Sequence, residues 1–359
     1  MRCREPQRTA GRYNDVSGIE DVARAAGVSK ATASRALTGH GYVAAATRER
    51  VTRVAHEMGY VPSSSAASLA TGRTRNIGVV MPYLNRWFFA EVLEGIQEVL
   101  LESGYDLTLY DAKPGTEGRR RVFDDFLARK RFDGLIAVGL EPDHHELERL
   151  VAIGRPVVSV VAMGDNAGVV RLDDESAARR ATAHLIELGH TKITFLGGVS
   201  VSSGPHVDRA RLAGYQTTMR EAGLEVTHVR SEVSLPGGYA AAVDLLGDPD
   251  RRPTALLATC DEVAIGAIIA ARRLGIPVPS ALSVVGIDNH EFAEMFSLTT
   301  LEQSPRSQGA QGARMLLEQL ENPEQDPADV SIQARMIVRN STAPPPGTPS
   351  VTVGVGVTS

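Results

Sequence analysis

Short apolar runs that alternate with helical patterns constrain the fold of this chain more than any other feature. Strands are predicted at Ile77–Met81, Leu107–Tyr110, Gly134–Val138, Val157–Val161, Ile193–Gly197, Ala255–Ala258 and Val284–Ile287. Helices are predicted between and after them at Phe88–Ser103, Glu117–Arg129, Glu146–Ile153, Glu175–Leu188, Arg209–Ala222, Tyr239–Leu246 and Asp261–Leu274. The strands are almost wholly apolar, as expected for parallel strands that are covered on both faces. The alternation therefore predicts an α/β body of doubly wound parallel sheets.

The body is too long for one such sheet. Residues 76–340 span about 265 residues, and single hydrophobic cores stop growing at roughly this size. We therefore expect the body to fold as two lobes.

The charge of the chain is distributed unevenly. Residues 1–75 carry a balance of +6 and residues 76–359 a balance of −11, within a total of −5. A basic head on an acidic body suggests that the head meets a polyanion and that the body does not. A chance asymmetry of surface charge explains the same numbers equally well.

The head reads as three short helices. Their apolar positions are Ile19, Val22, Ala23 and Ala26 in the first, Ala33, Ala36 and Leu37 in the second, and Val51, Val54, Ala55 and Met58 in the third. Gly27 follows the first helix as a stop residue, and Ser29 is a good N-cap for the second. A helix, a tight turn with Gly and a second helix form the helix-turn-helix layout, whose second helix enters the major groove of DNA.

The candidate DNA contacts lie on the second helix and at its start. They are Ser29, Lys30, Ala31, Thr32, Ser34 and Arg35. Short, polar or cationic side chains suit base edges and phosphates. Small three-helix bundles that bind nothing show the same bare pattern.

The head also resembles a known family. Ile19–Leu37, Gly41–Val43, Thr47–Val51, Gly59–Pro62 and Ser68–Gly78 resemble, in order, the DNA-binding head and hinge of the lac repressor/galactose repressor family. The resemblance extends more loosely to about Asn340. It implies a sequence-specific transcriptional regulator, most simply a repressor, that works as a homodimer on double-stranded operator DNA. It also implies a body built like periplasmic binding proteins, with a small-molecule effector, a carbohydrate, between the lobes.

The resemblance divides the chain into five parts. Residues 1–17 form an N-terminal tail, 18–62 a helix-turn-helix domain, 63–75 a hinge, 76–340 the two-lobed effector-binding and dimerisation domain, and 341–359 a disordered tail. Crossovers between the lobes are expected near 171–174, 298–303 and 330. The resemblance adds Tyr42, Tyr60, Ser63 and Leu69 to the candidate DNA contacts. Leu69 matches the wedge that kinks DNA from the minor groove, although it would otherwise be taken for a packing residue in a Ser/Ala-rich linker.

The candidate effector site follows from sheet topology. Ligands of open α/β sheets bind outside the carboxyl ends of the strands. Tyr83 and Phe88 follow the first strand of the body, and by resemblance Arg211 and Asp288 match the family's effector-binding Arg and Asp. Cys260 stands where an Asn or Ser is common, and Arg86 and Trp87 replace a frequent Asn-Pro pair. Simple packing of Phe88 and a surface salt bridge of Arg211 are the alternatives.

Other functions find little support in the sequence. The chain lacks a Gly-x-Gly-x-x-Gly fingerprint, a phosphate-binding Gly-x-x-x-x-Gly-Lys-Ser/Thr loop and a Gly-x-Ser-x-Gly elbow, which argues against a Rossmann-type enzyme. A sugar-binding receptor without DNA function would have no use for the basic head. We therefore expect no catalytic residue, no metal site, no cofactor and no membrane span. A chain with only Cys3 and Cys260 suits the cytoplasm, where this protein would lie at the nucleoid.

Overall fold

A computed structural model describes residues 18–39, 41–60, 72–161, 168–198 and 206–347. The chain divides into two compact units, one ending at Arg75 and one beginning at Asn76. The tail 1–17 and the predicted DNA contacts Ser63 and Leu69 lie outside the described residues.

The first unit contains the predicted three-helix head. Its helices are α1 (Ile19–Ala25), α2 (Lys30–Thr38) and α3 (Ala45–Glu57). Val22, Ala33 and Val51, one from each helix, meet in its small buried core. The third helix begins at Ala45, six residues before its first apolar position. Residues Ala45 to Arg50 are exposed or half-buried, so the apolar pattern does not mark them as helical.

The second unit alternates strands and helices along its whole length. Its elements are β1 (Asn76–Met81), α4 (Trp87–Glu102), β2 (Asp106–Asp111), α5 (Glu117–Arg121), β3 (Gly134–Val138), α6 (His144–Ala152), β4 (Val157–Val160), β5 (Gly168–Leu172), α7 (Asp174–Glu187), β6 (Ile193–Leu196), α8 (His206–Glu221), β7 (Thr227–Val229), α9 (Leu235–Gly247), β8 (Ala255–Ala258), α10 (Asp261–Arg273), β9 (Ser283–Asp288), β10 (Thr299–Glu302), α11 (Pro305–Glu321), β11 (Asp329–Ile332) and β12 (Arg335–Ile337).

These strands form two six-stranded sheets, each of which defines a lobe. The first lobe has the order β11-β5-β4-β3-β1-β2 and is parallel throughout. The second lobe has the order β12-β10-β9-β8-β6-β7, and only β12 pairs antiparallel. The helices α4 and α11 pack together on the first sheet, and α9 and α10 pack together on the second. The predicted doubly wound α/β architecture is confirmed.

The chain crosses between the lobes three times. It passes from β5 to α7 at Asp173, from β10 to α11 at residues 303–304, and from β11 to β12 at residues 333–334. Each lobe therefore contains distant parts of the sequence. Any movement of one lobe relative to the other must bend these three connections.

Several elements differ from the sequence prediction. The strands β5, β7, β10, β11 and β12 and the helix α11 were not predicted from the apolar runs. The predicted helix Glu117–Arg129 is α5 followed by a π-helical turn at Val122–Phe126 and a 3₁₀ turn at Leu127–Arg129.

The predicted disordered tail begins too early at residue 341. Ser341 is buried, and its Oγ donates to the carbonyl oxygen of Val284 at 2.6 Å. Residues 341–347 therefore belong to the second lobe, because Ser341 and Ala343 hydrogen-bond to the start of β9.

Candidate DNA-binding head and effector site

The second helix of the head is built as the sequence predicts. The Ser29 hydroxyl caps it by accepting a hydrogen bond from the Thr32 N–H at 3.1 Å. Gly39, with φ 75°, ends the helix in the left-handed conformation that glycine adopts without a steric penalty. The cap and the stop leave one short helix whose outer face is open to solvent.

The candidate DNA contacts are unequally exposed. Lys30, Ala31 and Arg35 are exposed on this face, whereas Thr32 and Ser34 are half-buried. The Lys30 ammonium pairs with Glu20 of α1 at 2.8 Å, and the hydrogen bond to Glu20 raises the pKa of Lys30. Both partners are exposed, so the pair can open when another anion such as a phosphate competes for the ammonium.

The two tyrosines of the head differ in environment. Tyr42 is 93% exposed, and its ring covers little of the head. Tyr60 is half-buried and packs against the core of the three helices. Tyr42 is therefore free to contact a partner, whereas Tyr60 also supports the head.

In the body, Arg211 lies at the centre of a buried polar cluster. Its Nε donates to Asp174 Oδ1 at 2.8 Å, and one terminal nitrogen donates to the carbonyl oxygen of Thr259 at 2.6 Å. The same nitrogen lies 4.0 Å from Asp288 Oδ1. Burial alone would lower the pKa of Arg211, but Asp174 and Asp288 raise it above its ordinary value. Arg211 is therefore a permanently charged buried group and not a surface helix residue.

The carboxylates of this cluster are costly to ionise. Burial raises the pKa of Asp174, Asp208 and Asp288, and Arg211 opposes the increase in each case. Gln303 donates a hydrogen bond to Asp288. Asp288 has φ 147°, a value that L-residues rarely adopt, so its carboxylate is held in place at a conformational cost.

Asp261 organises the backbone that follows Asp288. Its two carboxylate oxygens accept hydrogen bonds from the His290 N–H at 2.9 Å and from Thr300 Oγ1 at 2.6 Å. A Cβ at Gly286 would lie 2.0 Å from Asp261 Oδ1, so only glycine lets this carboxylate approach β9. Burial raises the pKa of Asp261.

Residues that follow the carboxyl ends of the two sheets meet each other. The N–H of His206 donates a hydrogen bond to Glu141, which lies just beyond β3. The Trp87 and His290 rings stack with centroids 4.6 Å apart. Burial raises the pKa of Glu262 in the second lobe, and electrostatic attraction to Arg86 of the first lobe opposes this increase. The carboxyl ends of the two sheets therefore line one cleft.

The candidate effector residues fall into two groups, one in each lobe. Arg211, Cys260 and Asp288 lie together in the second lobe and interact electrostatically. Cys260 is buried, and burial raises its thiol pKa well above the usual value, so it stays a neutral thiol. Tyr83 contacts Phe89 and Arg86 within the first lobe, and Phe88 packs against the core of that lobe.

Sequence patterns missed four residues of this cluster. Asp174, Asp208, Asp261 and Gln303 were not identified. Asp261 belongs to the segment Thr259–Asp261, which the sequence marks as following a predicted strand, but its role was not predicted. Asp174 and Asp208 lie in the first turns of helices, where an acidic residue is common for another reason, namely the helix dipole.

Comparisons with known proteins identify the family. Residues 18–63 match the model of bacterial regulatory proteins of the lacI family, and residues 182–342 match the periplasmic binding protein-like domain. The transcriptional repressor PurR of Vibrio vulnificus is 32% identical over 337 residues, which cover 90% of this chain and 98% of PurR. The chain belongs to the LacI family of bacterial regulatory proteins.

Two solved structures extend the LacI-family likeness to three dimensions. A lac repressor dimer bound to operator and the anti-inducer ONPF is 25% identical with a TM-score of 0.80, covering 91% of this chain and 99% of that one. A complex of the regulator CelR with cellobiose is 28% identical with a TM-score of 0.67, covering 90% and 99%.

This LacI-family chain is therefore a DNA-binding transcriptional regulator with a helix-turn-helix head and an effector-binding body. The expected fold and family are confirmed, and the relatives named here are regulators rather than enzymes. No helix in the described part of the chain is long and apolar enough to span a membrane.

Proposed function

We propose that this regulator is a homodimeric repressor whose affinity for operator DNA is set by a carbohydrate bound between its lobes. The proposal rests mainly on the Arg211 guanidinium, which is buried between Asp174 and Asp288 at the carboxyl ends of β8 and β9. Sugar hydroxyls both donate to carboxylates and accept from a guanidinium, so they match this arrangement. CelR, whose complex contains cellobiose, and the lac repressor dimer on its operator support the two halves of the proposal by analogy.

In the head, we propose that α2 reads the operator. Its contacts are Ser29, Lys30, Ala31, Thr32, Ser34 and Arg35, assisted by Tyr42 and Tyr60 and, on the sequence argument alone, by Ser63 and Leu69. In the body, we propose that Tyr83, Phe88, Arg211, Cys260 and Asp288 contact the effector. Tyr83 and Phe88 supply aromatic faces that suit the apolar faces of a sugar ring.

We infer that β1 connects the two functions. The strand begins at Asn76, directly after the segment 63–75, and ends at Met81, two residues before Tyr83. It is an inner strand of the first sheet, between β3 and the edge strand β2. A closure of the lobes that displaces the effector loop therefore displaces the start of the body as well. An effector shifts operator affinity only if it binds one lobe arrangement better than the other.

The dimer would cover apolar side chains that the single chain leaves exposed. Met295 is 78% exposed and Phe292 is 43% exposed, and the two lie close together after β9. Exposed large apolar residues that cluster are typical of association surfaces.

Selection of DNA from random oligonucleotides by the full-length protein tests the proposal. The enriched motif should be an inverted repeat, as expected for a two-fold symmetric dimer. Gel shifts on that motif should then change when a sugar from a panel of mono- and disaccharides is added. Enrichment of no motif, or a motif whose binding no sugar alters although calorimetry shows that the sugar binds, would contradict the proposal.

A further inference from the structure

Asp208 has a buried carboxylate oxygen that the described part of the chain leaves without a donor. Asp208 lies in the first turn of α8 and is only 9% exposed. Its Oδ1 accepts a hydrogen bond from Thr259 Oγ1 at 3.0 Å. Its Oδ2 is buried and accepts no hydrogen bond from any of the described residues. An unsatisfied buried acceptor costs stability, so this oxygen is a place where a ligand donor would be stabilising.

This oxygen lies inside the effector cleft. A Cβ at Gly198, two residues beyond β6, would lie 3.7 Å from Asp208 Oδ2, and Thr259 follows directly after β8. Glu141 of the first lobe acts on Asp208 by electrostatic repulsion. Asp208 therefore stands at the carboxyl ends of two neighbouring strands and on the side that faces the other lobe.

Arg211 faces more carboxyl groups than it hydrogen-bonds. The guanidinium interacts with three carboxylates, namely those of Asp174, Asp208 and Asp288. Two of its nitrogens already donate, to Asp174 and to the Thr259 carbonyl oxygen. The cleft therefore offers more hydrogen-bond acceptors than Arg211 satisfies, and Asp208 Oδ2 is one of those left over.

We propose that Asp208 is an effector-binding residue that accepts a hydrogen bond from a hydroxyl or ammonium group, and that the cleft rejects effectors carrying a phosphate or carboxylate. An added anion would bring acceptors and no donor to a cleft in which burial already opposes the ionisation of Asp174, Asp208 and Asp288. A neutral or amino sugar brings the donors that the cleft lacks. This inference rests on the proposed function and narrows the class of effector.

The stability of the free protein gives the first test. Asp208→Asn keeps an oxygen for Thr259 and replaces a carboxyl whose ionisation burial already opposes, so the full-length variant should melt within about 2–4 °C of the wild type. Asp174→Asn should melt lower, because it removes the carboxylate that pairs most closely with the buried Arg211 guanidinium. Asp244→Asn, an exposed position on α9, controls for loss of a surface charge and should melt with the wild type. An Asp208→Asn variant that melts as far below the wild type as Asp174→Asn does would show a structural carboxylate and overturn the proposal.

Ligand binding gives the second test, with glucose, cellobiose, glucosamine and glucose 6-phosphate as probes in calorimetry. Each neutral or amino sugar that binds the wild type should bind Asp208→Asn about tenfold more weakly and Asp244→Asn equally well. A larger loss for glucosamine than for glucose assigns an ammonium partner, and equal losses assign a hydroxyl. Equal affinities of wild type and Asp208→Asn, or glucose 6-phosphate binding more tightly than glucose, would overturn the inference. A failure of the proposed function looks different, because a sugar would then bind without changing operator affinity.

Discussion

The indole of Trp87 stacks on the imidazole of His290, with the ring centroids 4.6 Å apart and the planes inclined at 38°. Trp87 begins α4 in the first lobe, and His290 follows β9 in the second, two residues after Asp288. Phe292 continues the row, with its ring centroid 5.0 Å from that of His290. The stack therefore joins the two lobes beside the candidate effector site.

Trp87 should report lobe movement, because it is the single tryptophan of the chain. We expect a sugar that binds the cleft to change the emission spectrum of the wild type as the contact with His290 changes. His290→Ala should shift the spectrum of the free protein towards that of a more exposed indole and reduce the change caused by the sugar. The loss of the stack should lower the free energy of unfolding by about 0.5–1.5 kcal/mol. An unchanged wild-type spectrum at saturating sugar, with binding shown by calorimetry, would argue against movement at this contact.

Asp288→Asn should separate effector response from DNA binding. The substitution removes a buried carboxylate next to Arg211 but leaves the head untouched. We expect operator affinity without effector to stay within about twofold of the wild type. The wild-type response, which is typically about 5–150-fold in regulators of this kind, should be lost. Gel shifts across an effector titration measure both quantities, with Asp244→Asn as the matched surface control. A full response in Asp288→Asn would exclude this carboxylate from the effector site.

Substitutions on α2 should affect DNA binding in two distinguishable ways. Lys30 stands at the start of the helix, so Lys30→Ala should change the preferred base at one position and cost about 1–3 kcal/mol. Arg35→Ala should weaken binding to many sequences. Glu20→Gln releases the Lys30 ammonium from its 2.8 Å ion pair, so we expect it to tighten operator binding. Selected motifs and affinities that are identical in the wild type and all three variants would refute the assignment of α2 as the reading helix.

A buried and wholly apolar run is the clearest signal of a strand in this sequence. The run from Gly134 to Val138 is buried along its whole length and was placed without error. By contrast, β10 escaped prediction because it begins with Thr299 and Thr300, which are fully buried although they are polar. Their hydroxyls are satisfied by residues far away in the chain, such as the Arg339 carbonyl oxygen and the Asp261 carboxylate. The hydrophobic periodicity of a short segment cannot show hydrogen-bond partners that lie far away in the sequence.

The same limit applies to the effector cluster. The resemblance pointed to Arg211 and Asp288, but the carboxylate closest to Arg211 is that of Asp174, 37 residues earlier in the chain. The stack of Trp87 on His290 joins residues from opposite lobes. Each of these pairs is created by the crossovers, which bring separate strand ends to one cleft. A sequence can mark the strand ends, whereas the pairing across them depends on the packing of two whole lobes.

Gly95 should be intolerant of any side chain, because α4 and α11 approach each other closely there. A Cβ at Gly95 would lie 1.9 Å from the carbonyl oxygen of Arg306, and a Cβ at Gly309 would lie 2.0 Å from that of Val92. Gly95→Ala must therefore push two helix backbones apart, and we expect a loss of at least about 2 kcal/mol. Gly118→Ala is the control, because Gly118 lies exposed in α5 and its nearest obstacle is 3.7 Å away. That substitution should be neutral or stabilising by up to about 1 kcal/mol. Equal melting temperatures of the two variants would contradict the close approach.

His190 should make the body less stable in mild acid. The ring is 1% exposed, and its nitrogens hydrogen-bond Thr254 Oγ1 at 2.9 Å and the carbonyl oxygen of Ala343 at 2.8 Å. Burial lowers the pKa of His190 below its ordinary value, although the bond to Ala343 opposes the shift. The unfolded chain therefore binds the proton more readily than the folded chain does. The stabilisation is complete above the unfolded pKa of about 6.5 and is lost as the pH falls towards the lowered folded pKa.

His190→Gln isolates this contribution from the carboxylates, whose raised pKa values act in the opposite direction. Urea unfolding followed by Trp87 fluorescence gives the free energy of unfolding of the body at pH 7.5, 6.5 and 5.5. We expect the wild type to exceed the variant at pH 7.5 and this advantage to shrink as the pH falls, because only the wild type takes up a proton at this position on unfolding. His144→Gln, at an exposed position on α6, should follow the wild-type curve. A difference between wild type and His190→Gln that is constant over this range would mean that residue 190 contributes packing and hydrogen bonds but no linked proton.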